Sequence, residues 1–281
     1  MTATTTPARA GAPTFVPSGS GLSFVGILNS EWIKLRTVRS TVWSYAVIVL
    51  ASFGIALLAS GTGNYDGSSF PAAEQNNLLL QSSTLGIYFG QLVVGVLGVL
   101  VISGEYSTGM IRSTLTAVPK RIPALAAKAL VLFLTTFVVG LVASFGSFAI
   151  ATALLGPQGI SPDFADGSLI GNLVLSALYL ALAAVFALGV GTILRSSAGG
   201  IAAALGAILL LPTIFQLIAG ITQAQWAADV LPYLISNAGV GMYTPTTNPD
   251  ALGQVQNLIV VLVWVAVSLV GGAVLLKRRD A

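Results

Sequence analysis

The sequence predicts an all-α, polytopic membrane protein: six transmembrane helices, an amphipathic helix ahead of the first, and a short element between the second and third. Three observations predict it. Charged residues make up 7% of the 281 positions and apolar ones 55%, with a mean hydropathy of +0.91; a soluble domain carries about 25% charge. Six stretches run to roughly 20 mostly apolar residues, the length a helix needs to cross the hydrocarbon. The bases and the acids then fall in alternate connections.

The spans are expected at about 41–60, 85–103, 129–155, 169–194, 198–220 and 255–276, with only the "RSSAGG" stretch of 195–200 between the fourth and fifth. Residues 1–20 are rich in Thr, Ala, Pro, Gly and Ser and lack the apolar core of a signal peptide. They read as a disordered cytoplasmic tail, with span one as an uncleaved signal anchor and 21–281 as one transmembrane domain. Lys34, Arg36 and Arg39 precede span one; Arg112, Lys120, Arg121 and Lys128 lie between spans two and three. Arg195 divides spans four and five, and Lys277, Arg278 and Arg279 follow span six. With Arg9 these are all twelve bases, and they share one side. The other connections hold Asp66, Glu74, Asp163, Asp166, Asp229 and Asp250 without a base. Lys/Arg bias marks the basic side as cytoplasmic, so both termini are expected there.

Composition also excludes chemistry. There is no cysteine and no histidine, which removes disulfides, thiolate and imidazole metal sites, Cys or His catalysis and His proton relays. The pI near 9.3 rests on 12 bases against 9 acids and does not indicate a nucleic-acid binder. No ionisable residue falls near the middle of a span. Gln91, Asn172 and Gln216 are the strongest polar candidates there, for hydrogen bonds between helices or for contact with a substrate in a path. An ion-coupled carrier keeps a buried Asp, Glu or His on its route; its lack here points to energy arriving from elsewhere. The 31 glycines include "GQLVVGVLG" and "GGIAAALGA", whose spacing lets helix backbones approach.

Residues 21–40, "GLSFVGILNSEWIKLRTVRS", read as the amphipathic helix. At 100° per residue Phe24, Ile27, Leu28, Trp32, Leu35 and Val38 share one arc, with Lys34 and Arg36 on its flanks. Trp32 suits an interface, and Lys34, Arg36 and Arg39 can meet anionic lipid. Glu31 breaks the pattern by pointing into the apolar arc: it pairs with a base, Lys34 or Arg112, or it faces protein. The stretch "GEYSTGMIRSTLTAVPKRIPALAAK", 104–128, concentrates one acid and four bases around two prolines. Pro119 and Pro123 break the helix, with Pro123 suited to the first turn of span three. Between Glu105 and Val118 the chain is too polar for lipid and too long for a tight turn, which fits a short helix or a solvated loop.

In its order, the chain resembles the permease subunit of ABC-2-type exporters. "SEWIKLRTVRS" resembles the start of actinobacterial members. Glu105, Tyr106, Gly109, Met110, Arg112, Pro119, Arg121 and Lys128 match the motif that follows their second span, and "LPYLISNAG" is similar to their last external loop. The resemblance implies that the helix carrying Glu31, Trp32, Lys34, Arg36 and Arg39 is a connecting helix on the inner face. It also implies that Glu105, Tyr106, Gly109, Met110, Ile111, Arg112 and Leu115 belong to a coupling helix docked on a cytoplasmic ATPase. The chain has no Gly-Lys pair and so no phosphate-cradling loop. ATP and Mg are therefore expected on the partner ATPase, with no cofactor held by this chain and no enzymatic activity of its own. A second permease chain, identical or not, completes the path, in a bacterial cytoplasmic membrane. The competing readings are an ion-coupled secondary carrier and a membrane assembly subunit that transports nothing.

Overall fold

A computed structural model describes residues 23–63, 65–110, 116, 121–165, 167–246, 248 and 251–278. Ile111, Arg112, Leu115, Pro119, Lys120, Asp166, Asp250, Arg279 and the 1–20 tail, on which sequence expectations fall, lie outside the described residues. Within them the chain is helical with no strand, and six helices are long and apolar enough to cross a membrane.

Helix α1 (Phe24–Thr37) starts at Ser23, whose Oγ accepts from the Gly26 N–H at 3.1 Å, as an N-cap serine does. It buries Ile27, Glu31 and Leu35, one residue per turn. This line is narrower than the expected apolar arc, since Phe24, Trp32 and Val38 are exposed. Val38 has extended backbone and separates α1 from the first span, α2 (Arg39–Gly61), by a single residue.

The second span, α3 (Ala72–Ser107), is 36 residues long. At 1.5 Å per residue it measures about 54 Å, far more than the roughly 30 Å hydrocarbon core requires. It begins well before the expected 85, because residues 72–84 form helix readily although they are too polar for lipid. Their side chains find partners across the acidic end. Asn76 donates to the Asp163 carbonyl at 2.8 Å and accepts from its N–H at 2.9 Å, while Gln75 accepts from Ser161 N–H at 2.9 Å. The third span, α4 (Arg121–Leu155), likewise extends past the expected 129, with Pro123 in its first turn where a missing N–H costs nothing.

Helix α5 (Ser168–Leu194) is the fourth span and the core of the bundle. Most of its residues are buried, and it packs against α3, α4, α6 and α10. Lipid tails are as apolar as leucine, so close backbone approach has to hold such helices together. A Cβ on Gly191 of α5 would lie 2.8 Å from Ile102 Cγ2 and 3.0 Å from Val99 Cα. One on Gly98 of α3 would lie 2.9 Å from Ala187 Cβ. The two glycines let α3 and α5 touch along their length.

Span five is interrupted. Helix α6 (Ser197–Leu205) leads into a π-helical turn, Gly206–Leu210, and then α7 (Leu211–Thr222). Pro212 at the start of α7 has no N–H to continue an α-helical ladder, the ordinary cause of such a break. The following segment folds into the short α8 (Gln225–Val230) and α9 (Ile235–Gly241) before span six, α10 (Gln254–Arg278). Trp264 Nε1 of α10 donates to the Tyr233 carbonyl at 2.9 Å, tying this acidic-end cap down. Spans one and five remain largely uncovered: Trp43, Leu50 and Leu58 on α2, and Leu217 and Ile221 on α7, are exposed.

Candidate functional site: a charged junction at the basic end

Four ionisable side chains from three helices meet where α1, α3 and α4 converge. Glu31 comes from the buried line of α1, Glu105 from the last turn of α3, and Lys128 from two turns inside α4. Lys34 lies one turn beyond Glu31. Lys34 Nζ is 2.7 Å from Glu31 Oε1 and 3.0 Å from Glu105 Oε1; Lys128 Nζ is 2.5 Å from Glu31 Oε2 and 2.8 Å from Glu105 Oε1. Glu31, Glu105 and Lys128 are 4%, 3% and 4% exposed. Formal charges sum to zero, as burial demands: desolvating ions is costly, and it is offset only when partners satisfy one another. Burial works against the Lys34 ammonium, but hydrogen bonds to Glu31 and Glu105, with their charges, outweigh it and hold its pKa above the usual 10.5.

Both alternatives for Glu31 hold together: it pairs with Lys34 and it faces protein. Lys128 is the member that sequence reasoning missed as a partner. Its signal was its place at the start of an apolar span, where an unpaired base is expensive.

The next residue turns the other way. Tyr106 lies under the Arg195 guanidinium, whose carbon is 5.2 Å from the ring centroid, a cation–π distance. Arg195 occupies the left-handed backbone region, φ 53°, at the turn between α5 and α6. It donates to the Leu275 carbonyl at 3.4 Å, and Arg121 donates to the Leu276 carbonyl at 2.8 Å. Two arginines thus satisfy carbonyls at the C-terminal end of α10, where the helix leaves acceptors open and its dipole favours cations. Consecutive residues at the end of α3 therefore grip two sides of the bundle: Glu105 holds α1 and α4, and Tyr106 holds the α5–α6 turn. Gly109, φ 72°, and the exposed Met110 follow directly.

The sequence of residues 27–206 matches the family model described as ABC-2 family transporter protein. The chain belongs to that family. Among curated proteins none matches. The matched stretch takes in most of α1, spans one to four, the first half of span five, and every residue of the charged junction. Membership makes the chain a multi-pass membrane component of ABC-type transport; permeases of the ABC-2 family generally work with an ATPase subunit.

The remaining polar residues separate by position. Gln91 accepts a hydrogen bond from the buried Tyr179 hydroxyl, joining α3 to α5. Asn172 Oδ1 accepts from Gln254 Nε2 at 2.7 Å, joining α5 to α10. Gln216 is exposed on α7. Trp32, Arg36 and Arg39 are exposed beside the junction and take no part in it.

Proposed function

We propose that the chain is the permease subunit of an ATP-driven exporter in a bacterial cytoplasmic membrane, with its basic end and both termini in the cytoplasm. A separate ATPase binds ATP and Mg; this chain holds neither. A second permease chain closes the substrate path against the uncovered faces of α2 and α7, where Gln216 is exposed. The family match over 27–206 carries this reading.

The junction supplies the mechanical part. In this reading the segment after α3, from Gly109 through Leu115, docks on the ATPase: Met110 and Ile111 pack there and Arg112 meets acidic or backbone groups. Glu105 does not reach the ATPase itself; it fixes the root of the docking segment to α1 and α4. Tyr106 fixes the same root to the α5–α6 turn and, through Arg195, to α10. Closure of the ATPase pair then moves α1, α4 and the α5–α6 turn together. Substrate affinity changes to the extent that the two arrangements bind it differently.

The test is a mild-detergent pull-down of the tagged chain from its native membranes, with Arg112→Glu and Met110→Asp alongside. A stoichiometric ATPase that carries a phosphate-binding loop, recovered with wild type and largely lost with both variants, is the expected result. Recovery of the chain without an ATPase, even after crosslinking, overturns the reading in favour of a carrier or assembly subunit.

A further inference from the structure

A groove of about 420 Å³ lies where α1, α2 and α4 meet, within the size range of small-ligand pockets. Val42 of α2 and Leu134, Val138 and Val139 of α4 form its walls, with Trp32 and Arg36 of α1 at its basic end. Val42, Leu134 and Val138 are exposed, so the groove opens to the bilayer. Tyr45 and Thr135 also line it, but their hydroxyls are already partnered. They lie 3.0 Å from each other, Tyr45 lies 3.0 Å from the Thr136 hydroxyl, and Thr135 donates to the Val131 carbonyl at 2.8 Å. Such walls call for hydrocarbon. Lys128 bonds to α1 through Glu31, and from it α4 rises about 15 Å to Val138 at 1.5 Å per residue. That is half of the roughly 30 Å hydrocarbon core, the depth of one leaflet.

The guanidinium supplies the selectivity. Lys34 and Lys128 are neutralised by Glu31 and Glu105. Arg36 is exposed and makes no hydrogen bond or ion pair with any described residue. An uncompensated cation is too costly to face hydrocarbon. Its stem therefore lies along the groove and its head sits at the bilayer surface, the level that Trp32 also favours. An arginine placed there pairs with a phosphate through two parallel N–H bonds. Zwitterionic lipids offer the same phosphate with an ammonium beside it, which repels Arg36; a net anionic headgroup carries no such cation.

We propose that this groove holds one acyl chain of an anionic phospholipid from the leaflet at the basic end. The lipid phosphate accepts from Arg36, and its acyl chain lies along Val42, Leu134, Val138 and Val139. The site requires only that the protein spans a membrane and does not depend on the exporter reading.

The experiment uses the purified full chain, without ATPase, in phosphatidylcholine nanodiscs doped with phosphatidylglycerol whose acyl chain carries a diazirine. Light-induced adducts are mapped by mass spectrometry. Adducts are expected on Leu134, Val138 and Val139, competed by unlabelled phosphatidylglycerol and not by added phosphatidylcholine. Arg36→Gln should lower this labelling about fivefold, the contribution of one base beside anionic lipid, and Arg36→Lys should retain most of it. Val42→Trp combined with Val138→Trp, both at exposed positions, fills the groove with Arg36 in place and should abolish labelling while the thermal melt holds. Labelling of Val267 and Val270, exposed on α10, should respond to neither the headgroup nor Arg36→Gln. Equal labelling of the groove by a phosphatidylcholine probe with the same diazirine chain would overturn the proposal. So would indifference to Arg36→Gln or to the paired tryptophans, or a groove that takes no label, as when a second copy of the chain covers it.

Discussion

At the scale of single residues, Lys128 is the most consequential side chain at the basic end. Its ammonium is shared by two carboxylates, so its removal leaves two negative charges competing for Lys34. Breaking a buried ion pair from one side costs about 3–5 kcal/mol. Lys128→Ala is expected to lose that much in detergent melts, and Lys34→Ala less, because the Lys34 side chain is 26% exposed. The pH dependence has a definite sign. Because the folded state raises the Lys34 pKa above 10.5, its contribution is complete below that value and disappears as pH rises through the higher folded value. Melting temperature compared between wild type and Lys34→Met should differ by a constant amount from pH 7 to 9 and converge above about pH 10.5. A gap already closing near neutrality would remove the ion pairing from the account.

At the scale of elements, two contacts decide how the helices sit. Arg195 holds a left-handed backbone position and clamps α10. Replacement by alanine keeps the backbone strain and loses the clamp; replacement by glycine loses the clamp but relieves strain of about 1 kcal/mol. Arg195→Ala should therefore be the less stable variant, and both should speed amide exchange around residues 272–278. The α3–α5 contact makes the second case. Gly98→Leu forces a side chain into the Ala184–Ala187 backbone and should cost at least about 1–3 kcal/mol, while Gly104→Leu, with open space at its Cβ, should be near neutral. Equal melts for the two would mean that α3 and α5 do not touch as described.

At the scale of the whole molecule, orientation and assembly are open to chemistry because the chain contains no cysteine. A cysteine placed at Asp163 should react with an impermeant maleimide on intact cells, and one at Arg278 only after permeabilisation, if the basic end is cytoplasmic. Leu217→Cys on α7 should crosslink to a second permease chain, while Val138→Cys, equally exposed but on α4, should meet only lipid. Crosslinking at Val138 in place of Leu217 would move the assembly face to the other side of the bundle.

The six spans and their basic and acidic ends follow from the sequence alone, because bilayer thickness fixes helix length and charge is too costly to bury without a partner. The break at 195–200 was legible for the same reason: Arg195 cannot lie unpaired inside hydrocarbon. The break inside span five was not read, although Pro212 marks it. Three things required the tertiary structure. The length of α3 depends on partners on the 156–163 connection that let polar residues 72–84 stay helical. Glu31, Glu105 and Lys128 are separated by up to 97 residues, and no local pattern brings them together; packing of α1 against α4 does. The divergence of Glu105 and Tyr106 arises because neighbours on a helix point about 100° apart, and which helix each meets depends on the arrangement of all the others.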